Sequence, residues 1–388
     1  MLKWVFFGVY LILRKLNLIN FRNYKKVTVT FNKKINILTG NNAQGKTNIL
    51  ESIYFLAITK SFRTSHESTL INENSTNAKV KGEIKVEDVY KELSIELGSN
   101  SKKVKLNNNI YNKISDYITN LNVVISSPED RYIINGTPAE RRNFLNVELS
   151  QISRHYLKKY NEFNKLLKIR NDYLKMIYKN ANSDERYLDS LTDNLIEREV
   201  VIYQERKKFI DLINDRIGEI YTNISGIVGL KLEYQPNIEF ETFETDTIVS
   251  TLKNKYKKSF RKETENGMTL YGPHRDEFRF LINDKDISVF GSEGQQKLAT
   301  IALKLSEISI FKEITNTLPI LLLDDIFSEL DRTNRNRLIQ YIDSDMQVII
   351  TTNDTRGISK KLLENAKIFE VKDCNLKEKG ESNDRNKQ

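Results

Sequence analysis

The chain has 388 residues, too long for one ordinary domain and about right for two or three. Hydrophobic residues make up 39% and charged residues 29%, and only 5 prolines and 15 glycines occur, so a packed core is feasible and a collagen-like or loop-dominated chain is excluded. The single cysteine, Cys374, excludes an internal disulfide framework and any cysteine-rich metal site, while the net charge of +9 favours polyanionic partners.

Residues 1–13 are apolar apart from Lys3, fall short of a bilayer span, and run into Arg14 and Lys15 without a small-residue cleavage site. They read as a short extra strand or helix, as an uncleaved anchor, or as translated sequence outside the folded domain; the first and last readings fit best. Residues 16–21 and 27–31 then alternate with period two, as half-buried strands do. Residues 35–39 form a short buried strand, followed by a glycine-rich turn. A helix is expected over 46–59, with Ile49, Ile53, Leu56 and Ala57 on one face. Short strands broken by turns over 78–111 predict an antiparallel layer, and 123–125 is a buried strand closed by Ser126, Ser127 and Pro128.

The middle of the chain changes character. Leu145, Leu149, Ile152, Tyr156, Tyr160, Phe163 and Leu167 recur every three or four residues and predict one long amphipathic helix. A polar break at 180–184 separates it from a second run through Leu188, Leu191, Leu195, Ile202, Phe209 and Ile213, giving an antiparallel hairpin whose stripes read as core. Residues 231–290 return to strands and turns and contain a basic run over 253–262. A helix follows over 298–311. The apolar runs 319–323 and 347–351 are typical of parallel strands covered on both faces. The tail from residue 377 is polar and reads as disordered.

Three motifs carry chemistry. Gly40, Asn41, Asn42, Ala43, Gln44, Gly45, Lys46 and Thr47 match G-x-x-x-x-G-K-[ST] between a strand and a helix. Glycines let backbone N–H groups converge on phosphate oxygens, Lys46 reaches the β and γ phosphates, and the Thr47 hydroxyl suits Mg²⁺. Asp324 and Asp325 end an apolar strand, the first placed for the metal and the second for orienting or deprotonating a water. Ser292, Gly294 and Gln295 open a helix whose N-terminus can receive an anion. The histidines His66, His155 and His274 are spaced too widely for a metal cluster and read as surface or capping residues.

These motifs, with Ser328, Glu329, Leu330 and Asp331 after the aspartate pair, occur in the order seen in ABC ATPase heads of SMC-like proteins. Residues 16–24 (LNLINFRNY), Ser61, Phe62 and Arg63, residues 127–130 (SPED), 136–145 (GTPAERRNFL) and 271–276 (YGPHRD) narrow the likeness, and the chain resembles the RecF family of bacterial replication and recombinational-repair ATPases from about residue 16 to about 350. The resemblance implies an α/β fold: an ABC-type P-loop head with a mixed sheet and an antiparallel layer, over 14–137 and 231–376. A largely helical lobe is inserted at 138–230, with the 1–13 extension and the 377–388 tail outside. It implies ATP and Mg²⁺ as cofactors, bound by residues 40–47, with Thr47 and Asp324 on the metal. ATP would be sandwiched in a homodimer, with Ser292, Gly294, Gln295 and Asp331 acting from the other subunit and Lys46, Asp324, Asp325 and Ser292 serving catalysis.

The implied activity is a weak, DNA-stimulated, cytoplasmic ATPase with no membrane partner. It would bind duplex DNA and single-strand/double-strand junctions at gaps and, with RecO and RecR, promote RecA loading in repair and the SOS response. Another SMC-like ABC ATPase, or a nucleotide-gated DNA scaffold without significant hydrolysis, is the alternative. The chain departs from the wider ABC pattern in three places. Asp325 stands where glutamate is usual, Thr351, Thr352 and Asn353 replace the switch histidine of transporters, and Ser126 and Ser127 stand where a Q-loop glutamine would be sought. Arg141, Arg142 and the 274–276 segment read as salt bridges or caps rather than catalytic groups. The basic stretches 102–105, 158–159 and 253–262 are candidate phosphate contacts, each of which reads first as a solvated face.

Overall fold

Alternating apolar and polar side chains build β1 (Leu11–Phe21) and β2 (Tyr24–Thr30), which pair antiparallel. A continuous apolar strand, β3 (Ile35–Thr39), leads through the glycine loop into α1 (Lys46–Ile58). There follow β4 (Asn77–Val86), β5 (Val89–Gly98), β6 (Ser101–Leu106), β7 (Asn109–Ile110) and the buried β8 (Val123–Ser126). Helices then dominate, with α2 (Arg131–Asn135), α3 (Pro138–Ile152), α4 (Arg154–Tyr178) and α5 (Glu185–Ser225). After β9 (Leu230–Gln235) come α6 (Thr245–Asn266), β10 (Glu277–Ile282), β11 (Lys285–Asp286), α7 (Ile287–Phe290) and α8 (Glu293–Thr315). The chain closes through β12 (Ile320–Asp324), α9 (Ile326–Glu329), α10 (Arg332–Gln340), β13 (Val348–Thr352), α11 (Lys360–Glu364), β14 (Ala366–Lys372) and β15 (Asn375–Glu378). This computed structural model describes residues 10–99, 101–111, 113–179, 184–341, 345–356, 358 and 360–379.

Two compact units emerge. The first comprises the described residues up to Asp130, residues 223–226 and those from Thr300 onward; the second comprises Arg131–Thr222 and Ile227–Ala299. This division groups 231–299 with the helices, where the sequence reading groups them with the head. The expected 1–13 extension lies partly outside the described residues, but Leu11 and Leu13 are buried within β1. The Gln347 carboxamide exchanges hydrogen bonds with both the N–H (2.8 Å) and the carbonyl (3.0 Å) of Leu13, tying this strand to the approach of β13. Residues 380–388 of the expected tail lie outside the described residues, and 375–378 form β15.

The first unit holds two six-stranded sheets. One is antiparallel, in the order β2-β1-β4-β5-β6-β7; the other runs β15-β14-β3-β13-β12-β8, with all but the edge strand β15 parallel. Helix α1 touches strands of both sheets and is buried on nearly every side, so its sequence is apolar around most of the helix rather than along one stripe. Strands β12 and β13 are fully buried, as their uninterrupted Ile, Leu and Val runs require.

In the second unit the long helix expected through 145–167 is two helices. Ser153 takes an extended backbone and its side chain accepts the Tyr156 N–H, capping α4 just after α3 ends. The 253–262 run, read as part of a strand-and-turn region, lies in α6, whose inner stripe is Ile248, Leu252, Tyr256, Ser259 and Glu263. The 271–276 segment supplies a buried hub. Asp276 accepts from Arg206 (2.6 Å), from the Tyr234 hydroxyl (2.5 Å) and from the Asn237 N–H (2.9 Å). Arg141 forms a two-pronged pair with Glu277, and Arg142 donates to the Asp276 carbonyl at 3.0 Å. Among the described residues no helix is long and apolar enough to cross a membrane.

Candidate functional site

The turn between β3 and α1 is built on positive φ angles: Gly40 at 153°, Ala43 at 63° and Gly45 at 102°. A side chain at Gly40 would put its Cβ 2.2 Å from the Val371 carbonyl oxygen, and one at Gly45 would put it 2.8 Å from the Tyr24 hydroxyl. Both glycines are therefore required by conformation and by space. Gln44 is fixed by accepting the Asp373 N–H at 2.5 Å, while Asn42 and Ala43 line the cleft beside the loop. Lys46 folds back over the loop, donating to the carbonyls of Gly40 (2.5 Å) and Asn41 (2.9 Å) and to Asn353 Oδ1 (3.1 Å). Burial lowers its pKa, and the nearby Asp325 and Asp324 oppose that shift.

Adjacency of β12 to β13 brings the aspartates to this loop. Asp324 Oδ1 accepts from the hydroxyls of Thr47 (2.9 Å) and Thr351 (2.7 Å), across sequence separations of 277 and 27 residues. Burial raises the Asp324 pKa, and these two hydrogen bonds work against it. Asp325 takes the left-handed conformation (φ 53°) at the start of α9 and donates its N–H to Thr351 Oγ1 at 2.9 Å. An open cleft of about 380 Å³ is bounded by Arg22, Lys46, Thr47, Arg63, Asp324 and Asp325. Glu51, fully buried under its rim, accepts two bonds from Arg22 (2.9 and 2.6 Å) and one from Ser61 (2.6 Å), with Arg63 3.7 Å away.

The donor set suits a small hard cation. Thr47 Oγ1 and Asp324 Oδ1 are two oxygens within hydrogen-bond distance of each other at the cleft, and Mg²⁺ typically takes one or two protein oxygens and completes its shell with water and phosphate. Among the described residues no group of three His, Cys, Asp or Glu side chains could hold a metal ion. When bound, such an ion neutralises phosphate charge.

Ser292, Gly294 and Gln295 belong to the second unit. Ser292 N–H donates to the Gln295 side chain (2.9 Å) and Ser292 Oγ accepts the Gln295 N–H (3.3 Å), a reciprocal cap at the start of α8. Ser292 and Gly294 are exposed, and a Cβ on Gly294 would meet nothing nearer than 4.0 Å, so nothing in its own unit demands glycine there. Asp331 is exposed in the first unit, where it caps α10 by accepting the Asn334 N–H at 2.9 Å.

Sequence reasoning gave Thr351 no role of its own, yet its hydroxyl holds both aspartates. Its only sequence signal is a threonine where the transporter pattern puts a histidine region. Arg63 and Arg22 stood out only as members of family blocks.

A phosphate loop feeding a buried helix, an aspartate-ended strand beside it and a second, antiparallel sheet define an ABC-type ATPase head of the SMC/RecF kind. Residues 12–377 match the RecF/RecN/SMC N terminal domain family. A protein of Pediococcus pentosaceus named DNA replication and repair protein RecF is 39% identical over 92% of this chain and 96% of its own length. Its namesake from Halalkalibacterium halodurans is 40% identical over 95% and 100%. The chain belongs to the RecF family of DNA replication and repair proteins. Among solved structures, the recombination mediator protein RecF-ATP of the RecFOR pathway superposes with a TM-score of 0.88 at 29% identity, covering 97% of this chain and all of that one. An Smc head domain from Pyrococcus furiosus shares the fold alone, with a TM-score of 0.53 at 19% identity over 95% and 96%.

Proposed function

We propose that this protein is a cytoplasmic, DNA-stimulated, slow ATPase whose two copies close on two ATP molecules and thereby hold DNA. The closed dimer would hold duplex DNA and the junctions at single-strand gaps. In this reading it works with RecO and RecR to load RecA, as the RecFOR pathway of its structural relative suggests. The observation that carries the reading is the Thr47–Asp324 contact at 2.9 Å, with the Lys46 ammonium held over the same loop, groups from distant parts of the chain that together would hold phosphate and Mg²⁺. Residues 40–47 would cradle the phosphates, Thr47 and Asp324 would hold the ion, and Asp325 would orient the attacking water. Its carboxylate is one methylene shorter than glutamate, which favours slow turnover.

Ser292, Gly294, Gln295 and Asp331 would close the site from the second copy. Two observations support this: the exposure of the α8 N-terminus, and a glycine that its own unit does not require. Burying nucleotide between copies makes its γ-phosphate the differential ligand that separates closed from open states. Sedimentation of the full chain tests the reading. ATP with Mg²⁺ is expected to double the mass, ADP to leave it unchanged, and a mass indifferent to ATP would refute the dimer.

A further inference from the structure

We propose that the outward face of α6, carried by Lys257, Lys258 and Lys262 with Lys253 and Arg261 beside them, is a contact surface for the phosphate backbone of duplex DNA. It rests on the proposed DNA-binding function and assigns residues to it. Six basic side chains, Lys253, Lys255, Lys257, Lys258, Arg261 and Lys262, fall within ten residues that contain no acid. The inner stripe of α6 is spent on its own unit, with Glu263 accepting from the buried Arg170 at 2.7 Å and Tyr256 lying beneath the Arg170 guanidinium at 4.7 Å. Helical periodicity therefore turns the basic residues outward, and Lys253, Lys257, Lys258, Arg261 and Lys262 are exposed.

Two of these charges are partly answered, Lys253 by Asp193 at 3.1 Å and Arg261 by Glu265 at 3.0 Å. Among the described residues no ion pair holds Lys257, Lys258 or Lys262. Lys258 and Lys262 stand one turn apart, as do Lys257 and Arg261, a like-charge spacing that destabilises a helix unless a counter-charge lies over it. The lysines of β4 are placed differently. On β4, Lys79 pairs with Glu96 (2.8 Å), Lys81 with Glu92 (2.6 Å) and Lys85 with Asp88 (3.0 Å).

The stretch 253–262 is roughly 14 Å long at 1.5 Å per residue. A duplex carries one charge per about 1.7 Å of axis, so several phosphates fall within reach of flexible lysines. Lysines act as point charges without base-edge geometry, which suits backbone contact independent of sequence. A membrane surface fits less well, because a helix lying on lipid inserts its apolar face and that face of α6 is buried in the protein.

The test compares the full wild-type chain, the Lys257→Gln/Lys258→Gln/Lys262→Gln variant and a Lys79→Gln/Lys81→Gln/Lys85→Gln control of equal charge change. Affinity for a labelled gapped duplex is read with ATP and Mg²⁺ across 50–200 mM salt. The α6 variant should bind at least about tenfold more weakly at 0.1 M salt, with a log–log salt slope shallower by about two to three, since each lost phosphate contact removes about 0.9. Its ATP-dependent mass should not change, and the β4 control should stay within about threefold of wild type. Wild-type affinity and slope in the α6 variant, or equal weakening in the β4 control, would overturn the assignment while leaving DNA binding intact. A wild-type chain that holds no duplex removes the proposed function and this assignment together. Binding to phosphatidylserine vesicles in preference to the duplex would reassign the face to a membrane.

Discussion

Thr351 is fully buried, and its single hydroxyl donates to Asp324 Oδ1 while accepting the Asp325 N–H. It thereby sets the orientation of one carboxylate and helps hold the next residue in a left-handed conformation that costs free energy for any residue but glycine. Thr351→Val keeps the shape and removes both bonds, taking this acceptor from the part-buried Asp325 N–H and one donor from Asp324. Stability should fall by about 1–3 kcal/mol, and ATP turnover by tenfold or more with little change in KM. Thr351→Ser should restore most of the turnover, which a purely packing role for the side chain would not allow. Steady-state kinetics and chemical denaturation of the two variants read this directly. Gly294 lies at the other extreme, with open space around it. Gly294→Gln should leave the melting temperature within a degree or two of wild type yet abolish the ATP-dependent mass increase; a variant that still dimerises would mean α8 does not meet the second copy's nucleotide.

Among the elements, α5, α6 and the 271–276 segment share a buried polar layer whose protonation matters. Glu199 is fully buried, its Oε1 is 2.7 Å from the Tyr256 hydroxyl, and its Oε2 has no partner among the described residues. Tyr256 also reaches the Tyr271 carbonyl at 3.1 Å, and one phenolic proton cannot serve both acceptors, so a protonated Glu199 completes the chain of bonds. Burial pushes the Glu199 pKa up to about 8. Burial likewise pushes His274, whose Nδ1 lacks a partner among the described residues, down to about 4. The folded state thus holds a proton on Glu199 that the unfolded chain releases above about 4.3, and stability falls as pH rises towards 8. His274 acts oppositely and only below its ordinary value of 6.5, so between about 4.5 and 6.5 the two trends offset each other. The melting temperature should therefore drop between pH 6.5 and 8, and Glu199→Gln should flatten that drop; an unchanged slope would contradict the protonated assignment.

Elements differed in how far the chain alone revealed them. The phosphate loop and β12 could be read because their chemistry is local: glycines at fixed offsets, and an apolar run ending in carboxylates. The break at Ser153 could not, because the apolar stripe continues in phase on both sides of it. Helix α6 was hidden because its inner stripe includes Ser259 and Glu263, and Glu263 reads as an interior residue only once Arg170 of α4 is known to meet it. Thr351 gained its role only from the pairing of β12 with β13.

For the molecule as a whole, the loop and aspartates proposed to hold phosphate and metal lie in the first unit, while the α8 start proposed to complete a second copy's site is exposed in the second unit. An account in which nucleotide joins two copies predicts complementation between damaged chains. Lys46→Met removes the phosphate ammonium and Ser292→Arg blocks the signature, so each protein alone should be inactive. A mixed dimer retains one intact site, made from the loop of the Ser292→Arg copy and the signature of the Lys46→Met copy. Random pairing of equal amounts should then restore roughly a quarter of wild-type turnover, provided the two sites fire independently and occlusion of nucleotide is the rate-governing event. Two folded variants whose mixture turns over no faster than either alone would contradict the shared-nucleotide dimer.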